Sequence, residues 1–202
     1  MTQKIYVYIV VFVSGAVMMS FEIIGSRVLA PNFGNTIFVW GSLISVFLSG
    51  LSAGYYLGGK IADREPSHRK LGLIIIIPAF ILNVFPLYGT PICNWIFDMD
   101  VGDRMGPLGA SLLLFLLPSV FLGMVSPYAV RLQTKCLHTA GRTVGNLYAL
   151  STVGSIIGTL VTSFYLIAAS GVKSIIFCVG LLLLVSALPL LLNKDRICLE
   201  GR

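Results

Sequence analysis

Six apolar stretches, each long enough to cross a lipid bilayer and separated by short polar connections, run through the 202-residue chain. A bilayer core is ~30 Å thick and needs ~20 apolar residues per helix. The stretches fall at about residues 5–29, 38–59, 71–88, 107–125, 144–168 and 173–192. Composition agrees: 56% of residues are hydrophobic and 11% charged, whereas about a quarter of a soluble domain is charged. We expect an all-α polytopic membrane protein, a single six-helix transmembrane domain over residues 1–202, with no room for a separate soluble domain. The first stretch reads as an uncleaved helix. Its apolar run from Ile5 to Phe21 exceeds a signal-peptide core, and no Ala-x-Ala cleavage site follows.

A net charge of +6 would suggest a polyanionic partner in a soluble chain, but here the position of each charge decides. Eleven of the 14 Lys and Arg residues fall on the side of the two termini: Lys4, Lys60, Arg64, Arg69, Lys70, Arg131, Lys135, Arg142, Lys194, Arg196 and Arg202. Arg27, Arg104 and Lys173 fall opposite. Because Lys and Arg accumulate on the cytoplasmic side, the expectation is a multi-pass protein of the cytoplasmic (inner) membrane with both termini inside. The surplus is then an orientation signal, and no nucleic acid partner is implied. Trp40, Tyr88, Trp95 and Tyr165 lie near expected outer ends, and Tyr6, Tyr8, Tyr55, Tyr56, Tyr128 and Tyr148 near inner ones, as interfacial belts.

Divided between the third and fourth spans, the chain gives two three-helix units of opposite topology. Such inverted repeats build each six-helix half of major-facilitator transporters, so a half-sized bundle of this kind is the expected architecture, N-in and C-in.

Within the spans, small residues stand out at four-residue spacing. Gly50, Gly54 and Gly58 share one face of the second helix, and Gly154 and Gly158 one face of the fifth. Small residues let backbones approach closely where lipid removes the hydrophobic drive. They serve either packing inside one bundle or a dimer-forming or sliding face. Glu22 is the only acidic residue inside a span. A carboxylate there is costly and is by default a functional-site candidate for a cation, a substrate or a proton. Arg27 is its nearest basic neighbour, but the offset of five residues rotates it ~140° around the helix; a direct pair needs a bend, which Gly25 would supply. Otherwise Arg27 snorkels to the interface and Glu22 is a structural polar anchor bonded to another helix.

Connections carry less chemistry. The outer run Asp98, Asp100 and Asp103 lacks EF-hand spacing and reads as a solvated loop. His68 and His138 have no ligand-spaced partner, and Cys93, Cys136, Cys178 and Cys198 form no Cys-x-x-Cys pair, so neither a metal site nor a disulfide framework is indicated. There is no Gly-x-Gly and no Ser or Cys arrangement for catalysis. The expectation is a non-catalytic chain without cofactor.

The inner loop Gly59-Lys-Ile-Ala-Asp63-Arg64, followed by Arg69-Lys70, resembles the signature loop between helices two and three of the major facilitator superfamily, where an Asp and basic residues brace helix ends during alternating access. Pro66, Ser67 and His68 depart from that pattern. Three strings, Ser20 to Asn35, Val39 to Gly50 and Gly54 to Arg64, together with Gly123 to Leu132 and Gly141 to Gly158, look like the membrane region of bacterial fused major-facilitator/spermidine synthase proteins. Glu22, Arg27, Pro31, Gly34, Asp63, Arg64, Pro127, Arg131 and Gly145 match its strings. In that family a cytosolic aminopropyltransferase-like domain commonly follows; this sequence has no glycine-rich nucleotide loop or paired carboxylates to carry that activity over. The resemblance implies a small permease for a polyamine or related metabolite. It would act as a homodimer or with a second membrane subunit, Glu22 and Arg27 meeting substrate or proton and Asp63, Arg64 and Arg69 forming the gating loop. The alternative is a membrane anchor for a separate, cytosolic spermidine-synthase-like enzyme docked on the inner loops.

Overall fold

A computed structural model of the chain describes residues 2–64, 66–134 and 139–192. The basic residues Lys135, Lys194, Arg196 and Arg202, with Glu65, Cys136, His138 and Cys198, lie outside them. The described residues form six helices long and apolar enough to cross a membrane. These are α1 (Thr2–Phe33), α2 (Ile37–Arg64), α3 (His68–Asp98), α4 (Gly102–Gln133), α5 (Ala140–Ala169) and α6 (Val172–Leu192). The chain is an integral membrane protein by this measure, and lipid is the medium its outer surface meets.

Most helices outrun their apolar stretches. The 31 residues of α3 span roughly 46 Å at 1.5 Å per residue, well beyond a ~30 Å hydrocarbon core. The sequence places the end of the third span near Tyr88, yet α3 continues to Asp98 through Pro78, Pro86 and Pro91. Gly89, Cys93 and Ile96 stay on one buried face through that extension, and packing of that face carries the helix past its apolar limit. Likewise α4 runs through Pro127 to Gln133, where the sequence suggests a loop from Ser126. Tyr128 and Ala129 are fully buried there, so Tyr128 is a core residue and not part of an interfacial belt. Neighbouring helices re-satisfy the backbone groups that proline frees, which is why membrane helices tolerate it.

Short connections fix the alternation. Ser67 caps α3 from an extended conformation, its hydroxyl accepting the Arg69 N–H at 3.2 Å. Between α3 and α4 only Met99 to Val101 intervene, with the chain reversed through positive φ at Asp100 (49°) and Gly102 (83°).

At the centre stands α1, which packs against all five other helices. Buried side chains surround it, from Val7, Val10 and Val11 to Ile24 and Leu29, as expected of a helix that is apolar all round. Phe21 on α1 meets Phe47 (α2), Phe85 (α3) and Phe115 (α4) with ring centroids 5.8, 5.5 and 5.0 Å away. Four helices thus share one aromatic knot. By contrast α5 is peripheral, buried only at Leu147, Gly154, Gly158 and Thr162; Val153, Ile156, Leu160 and Phe164 face outward, as lipid permits.

The glycine faces decide which helices pair. A Cβ on Gly54 would strike the Val120 carbonyl of α4, and one on Gly58 would come within 2.7 Å of the Met124 backbone. On α5, a Cβ on Gly154 would strike the Phe12 carbonyl of α1, and one on Gly158 the Ala16 carbonyl. The second helix therefore packs on the fourth and the fifth on the first. The two contacts share a register: Gly123 of α4 approaches Leu51 of α2 as Gly15 of α1 approaches Ser151 of α5.

Candidate functional site

Glu22 lies on the α1 stripe that runs Gly15, Met19, Glu22, Ser26, since residues three, four and seven apart share a helix face. One turn toward the basic end of the bundle is a crevice of about 90 Å³ lined by Ser14, Met19, Tyr55, Ser126, Ser151 and Ser155 among others. One turn the other way is a cavity of about 250 Å³ lined by Ser26, Arg27, Asn35, Trp40 and Ser163. Glu22 therefore stands between two polar cavities. Its side chain is half-buried, and among the described residues its carboxylate has no ion pair or hydrogen bond.

Arg27 does not supply that partner. The helix continues through Gly25 without a break. A Cβ on Gly25 would come within 3.0 Å of Leu43 and 3.2 Å of Phe115, so this glycine serves close packing on the core and not a bend. Arg27 is exposed, and its Cα is rotated ~140° from Glu22 around the helix.

Hydroxyl groups line the α1–α5 contact below and beside Glu22. Ser155 Oγ lies 3.1 Å from the Gly15 carbonyl and 3.0 Å from the Ser151 carbonyl. Thr162 Oγ1 donates to Ser20 Oγ at 2.8 Å, and Ser20 Oγ donates to the Gly158 carbonyl at 3.2 Å. Thr162 also opens a π-helical turn, Thr162–Leu166, a local widening that often accompanies functional sites. Ser14 Oγ, buried beside the crevice, has no hydrogen-bond partner among the described residues. Ser151 and Ser155, spaced four apart beside Gly154 and Gly158, are the sequence signal that could locate this seam; nothing in the string Thr-Ser-Phe-Tyr-Leu marks the π turn.

At the basic end, Asp63 Oδ1 and Arg131 Nε form an ion pair at 3.3 Å, and the Ser67 N–H donates to the Tyr128 hydroxyl oxygen at 3.1 Å. Both contacts tie the α2–α3 connection to α4. Of the expected gating residues, Arg64 and Arg69 are exposed, and Asp63 is brought to Arg131 on another helix. The pair joins α2 to the helix on which its glycines already lock it, so within one chain it braces a rigid unit. Its side chains are 49% and 75% exposed, and exposed pairs contribute about 0–1 kcal/mol. Asp63→Asn is accordingly expected to change unfolding stability by less than about 1 kcal/mol, read from thermal unfolding in detergent; a larger loss would show that the latch holds the helix pair together.

Among the described residues no group of three His, Cys, Asp or Glu side chains could hold a metal ion. Compared with protein-family models, curated proteins and solved structures, the chain returns no match.

Proposed function

We propose that this membrane protein is a small permease of the cytoplasmic membrane, with both termini inside, in which Glu22 takes up and releases a cation or proton. The carrying observation is the unpartnered, half-buried carboxylate on the central helix, set between two polar cavities. A charge kept in a membrane span without a structural partner is explained by a ligand that comes and goes. The proposed substrate is a polyamine or related metabolite, supported by the resemblance of the membrane strings to spermidine-synthase-type proteins and by the cation preference of a carboxylate.

The proposed architecture is a half-major-facilitator bundle of two inverted three-helix repeats. Its support is the matching of α2–α4 with α5–α1, in which Gly54 and Gly58 correspond to Gly154 and Gly158, and Gly123 to Gly15. Alternating access needs two units that rock around a midplane site, so the permease works as a homodimer or with a second membrane subunit. Ser45, Ser49 and Ser52, exposed on the outer face of α2, are polar groups that lipid leaves unsatisfied and a neighbouring helix would bond. A second reading, an anchor for a separate spermidine-synthase-like enzyme, is favoured by the exposed cations Lys60, Arg64, Arg69 and Arg142 at the basic end.

Uptake of labelled putrescine by the purified protein in liposomes, with and without a pH gradient, tests the first reading. The expected result is uptake that Glu22→Gln lowers at least about tenfold, the scale of about 1.4 kcal/mol, while the variant remains folded. Unchanged uptake in Glu22→Gln would remove the role assigned to that carboxylate. No uptake by the unaltered protein, together with a soluble enzyme cross-linked to the basic end, would replace the permease by the anchor.

A further inference from the structure

The charge asymmetry leaves three basic residues, Arg27, Arg104 and Lys173, at the end opposite the termini, and two of them line one cavity. Arg27 of α1 and Lys173 of α6 both face a space of about 380 Å³ between α1, α3 and α6, larger than either cavity beside Glu22. The third, Arg104, lies over the Phe38 ring at 5.4 Å. Among the described residues no carboxylate lines the Arg27–Lys173 cavity. Among the described residues neither cation has an ion pair or hydrogen bond.

Its walls add neutral donors. Asn32 Nδ2 donates to Asn94 Oδ1 at 2.9 Å, which engages the Asn94 oxygen and leaves its amide N–H groups to donate elsewhere. Thr90 contributes a hydroxyl. The remaining lining includes Val28, Phe85 and Ile176, an apolar surface with Phe85 held in place by the aromatic knot. Both cations are exposed, so water can solvate them; what marks the cavity is that two like charges converge on one concave, partly apolar surface, an arrangement that focuses a positive potential and favours an anion. Positive residues are also selected away from this end of the bundle, so their convergence on one cavity calls for a ligand.

We propose that this cavity binds a single anionic group carried on an apolar body, either the phosphate of an anionic phospholipid or the acid group of a soluble amphiphile. Arg27 presents a planar fork to two oxygens of a phosphate or carboxylate, and Lys173 adds a point charge. Asn94 and Thr90 complete the donor set, and the apolar body lies along Phe85 and Ile176. The volume falls in the range of small-ligand pockets, about 300–1,000 Å³. The site goes beyond the permease reading: Glu22 is not among its lining residues, and although Arg27 also borders the cavity next to Glu22, Lys173 lines this one and not that one.

Native mass spectrometry and thermal unfolding of the full chain in a non-ionic detergent provide the test, with dioleoyl phosphatidylglycerol, dioleoyl phosphatidylcholine, octyl phosphate and inorganic phosphate as probes. The expected result is that phosphatidylglycerol or octyl phosphate binds at least about tenfold more tightly than phosphatidylcholine. R27Q/K173Q loses that preference, R27K/K173R keeps it, and K60Q/R142Q, which removes the same charge at the other end, keeps it too. Binding of phosphatidylglycerol alone assigns the site to lipid, and binding of octyl phosphate alone to a soluble ligand; both support the anion site. If R27Q/K173Q does not fold, Lys173→Gln, at an exposed residue, reads the same loss. Equal retention of the two lipids with no octyl phosphate effect, or an unchanged preference in R27Q/K173Q or in the Lys173→Gln variant that replaces it, overturns the proposal.

Discussion

Gly54→Leu is expected to cost about 3 kcal/mol or more of stability and to abolish the monodisperse detergent-solubilised form. A Cβ at this position would strike the Val120 carbonyl and come within 2.9 Å of the Gly123 Cα. Both obstacles are backbone, which cannot rotate aside as a side chain can. Relief requires α2 and α4 to separate, and with them the most extensive helix–helix contact in the bundle. In lipid that contact rests on close packing, because tails are as apolar as the side chains they would replace. Gly59→Ala and Gly145→Ala are the controls: nothing lies within 4 Å of a Cβ at either position, and Ala has the higher helix propensity by about 1 kcal/mol. Thermal unfolding and size-exclusion profiles of the three variants check this, and a Gly54→Leu protein as stable as its controls would mean that α2 and α4 do not meet on this face.

Phe21→Ala is expected to lower stability by about 2–3 kcal/mol, the cavity part of a large-to-small core substitution, without changing the number of spans. The ring is fully buried at the junction of four helices and makes edge contacts with Phe47, Phe85 and Phe115. For a soluble protein the loss would include the transfer of the ring from water, but a helix separated within a bilayer keeps that ring in an apolar medium. What remains is the void and the lost aromatic contacts. Phe21→Leu, which refills much of the space, should lose distinctly less. Comparable losses for Leu and Ala in denaturant titrations would indicate that shape and ring contacts outweigh the cavity.

Much of the bundle was legible in one dimension. Six spans follow from run length, because each apolar stretch must be long enough to cross a fixed thickness, and the spans placed in the sequence fall within the six helices. Glu22 stood out because a carboxylate in a span is rare for energetic reasons. The four-residue spacing of Gly50, Gly54 and Gly58 marked a close-packing face, since helical periodicity is local. Helix ends were less legible: α3 and α4 extend by packing of residues such as Cys93 and Tyr128 against distant partners, and hydropathy stops at the apolar limit.

The sequence by itself therefore determined the number of spans, the uneven distribution of basic residues and the presence of a lone intramembrane carboxylate, all properties of composition along the chain. Only the tertiary structure decided that the glycines of α2 meet α4 and those of α5 meet α1, that Asp63 reaches Arg131, and that Arg27 borders a cavity it shares with Lys173 without pairing with Glu22. These depend on which helices become neighbours. That choice is set by complementary surfaces far apart in sequence, and a periodic pattern shows that a face exists without showing what it will touch.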